Sequence, residues 1–177
     1  RHVIDDPWVQ RMRQIRQLQT AWWVYPTAEH SRFQHILGVM HLASRAVDQL
    51  YDSLREVDPS VPPKADIDAL VRMTGLLHDV GHGPFGHFFD ANFLSHYGLT
   101  HERLGALIVR EKLSELLSKL ERSPIGPLAA GVNAEAVGWL MQRPTSEDSQ
   151  SRPRWMQLLQ SLFCGIYTVD NMDFVQI

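Results

Sequence analysis

The stretch GLLHDVGHGPFGH, residues 75–87, places three histidines, one aspartate and four glycines within thirteen positions. Its apolar beginning belongs to a helical stripe, and its glycines and Pro84 mark where a helix must stop. His78 and Asp79 are adjacent, and neighbouring side chains on a helix point about 100° apart, so mid-helix they would not converge on one ion. At a helix end followed by glycine, the backbone can turn both side chains into one cavity. Two readings follow. Imidazole and carboxylate can hold a divalent metal, or Asp79 caps locally while His78 makes an ordinary hydrogen bond. The dipeptide alone favours the local reading.

Outward from this stretch the chain reads as helical throughout. Upstream, Asp66 and Asp68 open a helix whose stripe is Ile67, Leu70, Val71, Thr74 and Leu77. Before it, Phe33, Ile36, Leu37, Met40, Val47, Leu50 and Leu54 trace one face of a helix over about 32–55. The segment DDPWVQRMRQIRQLQTAWW has aspartates and an early proline, which predicts a first helix through Trp8, Met12, Ile15 and Leu18. Downstream, a short helix is expected near 85–95. Thr100 caps a helix over about 101–121, Asn133 caps another, and a last helical region starts at Trp155. The polar stretch 142–154 reads as a loop. No alternating strand pattern of useful length occurs. The expected fold class is all-α, a helical bundle, forming one domain over residues 5–177.

Bulk properties exclude several classes. A chain of 177 residues can bury one core. Its net charge of −3 offers no basic field, so a nucleic-acid partner is not expected. No apolar run approaches the roughly 20 residues of a membrane span. Cys164 is the single cysteine, which excludes a disulfide framework and leaves a cytoplasmic setting as the default expectation. The chain begins without methionine and ends inside an amphipathic run, so a piece of a longer protein is expected. Histidine is the unusual residue: nine in all, five of them from His78 to His101.

Two features outside the opening stretch favour the metal reading. His35 lies on the core-facing side of its helix, and Asp170 and Asp173 sit among apolar residues in YTVDNMDFV. A carboxylate carried into a core is costly unless it is paired or bound to a cation. Three helices can thus each deliver a ligand to one cavity. Of the other histidines, His30 reads as a cap, His2 as solvated, and His41 and His96 as structural or exposed. Trp22 and Trp23 read as core or interface. The arginines of RMRQIR read as a solvated face.

In order, HSRFQHILGVMHLA, GLLHDVGHGPFGHFFD, THE and VDNMDF resemble the HD-domain phosphohydrolase superfamily. The upstream VQRMRQIRQLQTAWWVYPTAEHSRFQHILGV narrows the resemblance to its deoxynucleoside triphosphate triphosphohydrolase branch, the dGTPase-like and SAM-and-HD-domain proteins. The similarity extends over about residues 5–175. It implies an HD-domain helical bundle with one divalent ion (Mn, Fe, Mg, Zn, Ni or Co) held by His35, His78, Asp79 and Asp170. It also implies that His82, His87, Asp90 and His101 line the reaction site, that Arg32 binds phosphate, and that Gln17 touches the sugar. A homo-oligomer is a further implication.

The implied activity is hydrolysis of a nucleotide, with cleavage of a dNTP to nucleoside and triphosphate as its specific form. Three departures weaken the specific form. Asn171 stands where the branch often has lysine or arginine, Phe174 where it has an aromatic hydroxyl, and Thr27 where it has glycine; the RD that normally follows lies beyond Ile177. The alternatives are another phosphoester, such as a cyclic nucleotide or nucleoside monophosphate, or a non-catalytic nucleotide-binding module.

Overall fold

The computed structural model describes residues 3–143 and 151–176. His2 and most of the expected 142–154 loop lie outside the described residues. Helix α1 (Pro7–Gln10) precedes the long α2 (Arg32–Val57), then α3 (Lys64–Leu77) and α4 (His87–Asn92). Helix α5 (His101–Ile108) runs through a π turn, Val109–Leu113, into α6 (Ser114–Ser118). Helices α7 (Ala134–Leu140), α8 (Arg154–Cys164) and α9 (Val169–Gln176) complete the all-α fold. Among the described residues, β pairing is limited to two isolated bridges, Arg16 with Ser31 and Arg122 with Pro127.

Local chemistry sets the helix starts. Ser31 and Gln34 form a capping box: the Ser31 amide donates to Gln34 Oε1 (2.9 Å) and its hydroxyl accepts from the Gln34 amide (3.4 Å). Thr100 Oγ1 accepts from the Arg103 amide, and Asn133 Oδ1 from the Ala136 amide. Helix α3 starts two residues before the expected Asp66, on Pro63. Asp66 instead accepts from the Ala129 amide (2.9 Å).

The central contact is α2 against α3. Ile36, Val39, Ala43 and Val47 bury completely or nearly so against Ile67, Leu70, Val71 and Leu77. Gly75 lets the two backbones meet, because a Cβ there would lie 3.0 Å from Met40 Cα. The α2 stripe holds except at Leu50, which is exposed while Tyr51 takes the buried place. In α5 the exposed residue is Leu107. The π turn adds one residue to the repeat, so the buried face passes from Ile108 to Leu113 and Leu117 rather than continuing in simple α phase.

The expected first helix stops at Gln10 and tightens into a 3-10 turn, Arg11–Gln14. Competing backbone bonds explain this. The Arg32 amide donates to Ile15 O (2.8 Å) and the Gln17 amide to His30 O (3.1 Å), tying residues 15–17 to the approach of α2. Of the arginines, Arg13 and Arg16 are exposed as expected, whereas Arg11 turns inward. Arg11 donates to Val80 O and His82 O, and Arg13 lies 3.7 Å over the Phe33 ring. Trp22 and Trp23 lie outside the core, at 36% and 69% exposure.

After α3 the chain turns at Gly81. The turn does not require a left-handed glycine there; it requires the absence of a side chain. A Cβ on Gly81 would overlap the His101 carbonyl and crowd the Gly105 amide. The first turn of α5 therefore rests directly on the residues after His78-Asp79. Gly81→Ala is expected to push α5 away and cost about 1–3 kcal/mol, or more, as overpacking does. Urea denaturation checks the loss.

Candidate metal centre

The close approach at Gly75 puts His35 of α2 beside His78 at the end of α3. Their ring centroids are 5.3 Å apart at 71°, an edge-on arrangement that lets in-plane nitrogens converge. Each ring is fixed from behind. His35 Nδ1 donates to Asp173 Oδ2 (2.7 Å), and His78 Nδ1 donates to Gly75 O (2.8 Å). Carboxylate and carbonyl oxygens accept, so both Nδ1 atoms carry hydrogen and both Nε2 atoms face the shared cavity. There they have no hydrogen-bond partner despite being buried.

Two carboxylates meet them. Asp79 Oδ1 lies 3.4 Å from His78 Nε2, and Asp170 Oδ1 lies 2.9 Å from His35 Nε2 and 4.0 Å from His78 Nε2. The Asp170 contact is short but off the line of a hydrogen bond. Bonds of about 2.1 Å to a common ion would set neighbouring ligands roughly 3.0–3.4 Å apart. Two unpartnered His nitrogens converging with Asp79 Oδ1, with Asp170 Oδ1 beside His35, fit a divalent cation. Their outer partners match as well, since metal-bound imidazole usually donates its other N–H to carboxylate or carbonyl. Asp173 reaches His35 because Gly38 has no side chain; a Cβ there would overlap its carboxylate.

Charge explains why the carboxylates stay ionised. Burial alone would raise the pKa of Asp79, but His78, Arg32, His82 and His35 hold it far below the usual carboxylate range. Arg32, 2% exposed, donates through Nη1 to Asp79 Oδ2 (2.5 Å). One oxygen of Asp79 thus faces arginine and the other the histidines. For Asp170, burial raises the pKa, and close contact with His35 together with the charge of His78 lowers it on balance. Burial would lower the pKa of His35, yet Asp170, Asp79 and Asp173 raise it. A ligating imidazole must offer its Nε2 lone pair, so cation binding opposes protonation of His35 there.

The second group comprises His82, His87, Asp90 and His101. Asp90 Oδ2 is its hub, 2.7 Å from His101 Nδ1, 3.3 Å from His87 Nδ1 and 3.4 Å from His82 Nδ1. The His82 and His101 rings stack at 3.9 Å and 15°. Lone pairs lie in the ring planes, so stacked rings do not aim at one ion. Asp90 is hydrogen-bonded to His101 and His87, while His82 Nδ1 is buried without a partner. His82 is 1% exposed, and burial above all pushes its pKa down to about 2, so it is neutral. The His87 side chain, 65% exposed, faces solvent.

The structure therefore brings together nine of the ten expected site residues, in two adjoining groups joined through Asp79 and His82, 3.5 Å apart. Gln17 stands apart; its Oε1 is buried without a partner. His30 does not cap α2, since Ser31 does, and its ring nitrogens are buried without partners. Arg11 was missed as a site residue. It holds the carbonyls of Val80 and His82 and so fixes the turn that carries both groups. Nothing in RMRQIR distinguishes its inward arginine from the others.

The family model for the HD domain matches residues 32–150. The chain belongs to the HD-domain family. Deoxynucleoside triphosphate triphosphohydrolase SAMHD1 of Bos taurus is 46% identical over 92 residues, 52% of this chain and 15% of that protein. Its Gallus gallus counterpart is 41% identical over 124 residues, 65% of this chain and 20% of that protein. An uncharacterised Methanocaldococcus jannaschii protein is 31% identical over 148 residues, 79% of this chain and 29% of that protein. This HD chain thus spans a minor part of the relatives it matches. A phosphohydrolase crystal structure from Bacteroides thetaiotaomicron shares the fold, with a TM-score of 0.65 and 24% identity over 97% of this chain and 35% of that one. No described helix is long and apolar enough to cross a membrane.

Asp173→Asn keeps the size but removes the charge that orients His35. We expect divalent-metal affinity to fall 10–100-fold, read as metal retained after dialysis against graded chelator. For the metal-free protein, the unfolded His82 imidazole protonates near 6.5, whereas the folded one resists down to about 2. Stability should fall as pH drops below 6.5, by up to about 1.4 kcal/mol per pH unit. Urea midpoints at pH 7 and pH 5 measure the slope, and His82→Asn should flatten it.

Proposed function

We propose that this HD domain is a metal-dependent phosphohydrolase acting on nucleotides, with dNTP cleavage to nucleoside and triphosphate as the specific form. The observation carrying this is the convergence of His35, His78 and Asp79, with Asp170 beside His35, and two unpartnered, backed imidazole nitrogens. The SAMHD1 similarity supports the dNTP form. His35, His78, Asp79 and Asp170 would hold the ion. A divalent cation there supplies charge that polarises a phosphorus–oxygen bond and acidifies water.

The remaining chemistry belongs to side chains. Asp90 accepts from His101 Nδ1 and so fixes the ring that would donate or accept a proton at Nε2. His87, exposed beside the same carboxylate, is placed to meet phosphate from solvent. Buried, neutral His82 forms the wall between the two groups rather than a direct phosphate contact. Arg32 holds Asp79 through Nη1, while its Nε is left without a partner and its Nη2 lies against Gly86, where a side chain would crowd it, leaving donors for a phosphate oxygen. Gln17 is assigned to the sugar by resemblance to the family.

The test is turnover of a nucleotide panel with Mn²⁺ or Mg²⁺. Inorganic triphosphate as product supports the dNTP form; orthophosphate or a monophosphate nucleotide moves the substrate to another phosphoester. Asp79→Asn should lose both metal and turnover. His101→Ala should lower kcat by about 10²–10⁴-fold while metal content is unchanged. A metal-free wild-type protein without metal-dependent turnover would sink the proposal.

A further inference from the structure

Among the described residues, four histidines carry a ring nitrogen that is buried without a hydrogen-bond partner: His30, His35, His78 and His82. Three of them belong to the groups around Asp79 and Asp90. His30 belongs to neither, and it alone has both nitrogens in this state. Buried polar groups are hydrogen-bonded as a rule, so a doubly unpartnered imidazole marks a place where another group belongs.

A short antiparallel pairing sets its neighbours. Arg16 bridges Ser31, flanked by the Arg32 amide donating to Ile15 O (2.8 Å) and the Gln17 amide donating to His30 O (3.1 Å). Gln17 is therefore opposite His30, and Ile15 opposite Arg32. Residues opposite each other share a face, and successive residues alternate between faces. Burial agrees: Ile15 and Arg32 are buried, whereas Arg16, between Ile15 and Gln17, is exposed. Gln17 and His30 thus lie on the inward face with Arg32. Each brings an unsatisfied group to it: the Gln17 Oε1 acceptor, both His30 nitrogens and the Arg32 Nε donor. Arg32 also holds Asp79 through Nη1, so this face borders the candidate metal centre.

The unsatisfied atoms limit what can fill the place. An imidazole always offers an N–H donor, and Gln17 Oε1 needs a donor from its partner. One hydroxyl satisfies both, donating to Gln17 Oε1 and accepting from the His30 N–H. An ionised phosphate or carboxylate oxygen has no hydrogen for Gln17, and a hydrocarbon satisfies neither residue. Arg32 beside them suits an anionic oxygen. A hydroxyl next to an anion is the chemistry of a phosphorylated sugar.

We propose that His30 is a specificity residue that reads, together with Gln17, a sugar hydroxyl of the nucleotide substrate. This rests on the nucleotide phosphohydrolase reading and gives that site a second sugar-facing side chain. A pair built to hydrogen-bond a hydroxyl rejects an analogue lacking it, because its own buried groups are then left unpaired.

Isothermal titration of the Mn²⁺-loaded protein, carrying His101→Ala to slow turnover, tests it with a deoxyadenosine triphosphate and its dideoxy analogue, which lacks the sugar hydroxyl. Adding His30→Phe, which keeps a ring but removes both nitrogens, should weaken binding of the deoxynucleotide about tenfold and leave the dideoxynucleotide unchanged. His30→Gln, which returns an N–H, should regain affinity for the deoxynucleotide. With His30 in place, its ring ¹⁵N signals should move on adding the deoxynucleotide and stay still with the dideoxynucleotide, a measurement that needs no folded variant at this position. Equal weakening of both ligands, unchanged affinity, or ¹⁵N signals that respond to both alike or to neither overturns the inference and leaves the phosphohydrolase reading standing. A Mn²⁺-loaded protein that binds neither nucleotide overturns that reading as well.

Discussion

An ionised carboxylate withdrawn from water must be surrounded by opposite charge or donors, and the arrangement around Asp79 follows from that requirement. Arg32 takes one oxygen, and His78 and His82 approach the other. Each of these partners needs its own support. The capping box at Ser31 starts α2 one residue before Arg32, the Gly75 approach brings α3 against it, and Arg11 fixes the turn beyond Asp79. A charge placed at the meeting of two helices thus dictates helix starts, a glycine and an N-terminal arginine more than sixty residues away in sequence.

The two histidine groups differ in ring geometry rather than in composition. Edge-on rings with Nδ1 satisfied leave Nε2 to converge on a cation. In the other group the His82 ring stacks on His101, and Asp90 takes its hydrogen bonds from His101 and His87. Sequence spacing alone does not separate these cases, because both arise from histidines near glycines in the same turn. Torsions and tertiary packing decide which nitrogen points where.

Much of the fold was legible because helix caps and apolar stripes are local. Thr100 and Asn133 mark starts that the structure keeps, α2 starts where expected though on Ser31 rather than His30, and the α3 stripe buries as written. The first helix failed because backbone bonds from Gln17 and Arg32 to distant partners override local propensity. Leu107, written into the stripe, lies on the exposed side of α5, just ahead of a one-residue π insertion that shifts the phase of the buried face without a compositional mark. In the site, the motif order brought forward His35, His78, Asp79 and Asp170. Arg11, and Asp173 as the backing for His35, required coordinates, since each acts through a contact far along the chain.

The final helix has an attachment unlike the rest. Of α9, Val169 is buried, whereas Met172, Phe174 and Val175 are largely exposed. What ties it down is His35 of α2, which meets Asp170 and Asp173 across a separation of 138 residues in the longer case. Closing so long a loop costs entropy once, however many contacts then share it. Polar pairs carry that closure in place of an apolar face. Docking of α9 and the geometry of the site thereby hang on one side chain, so whatever loosens the last helix from His35 reaches the candidate centre directly.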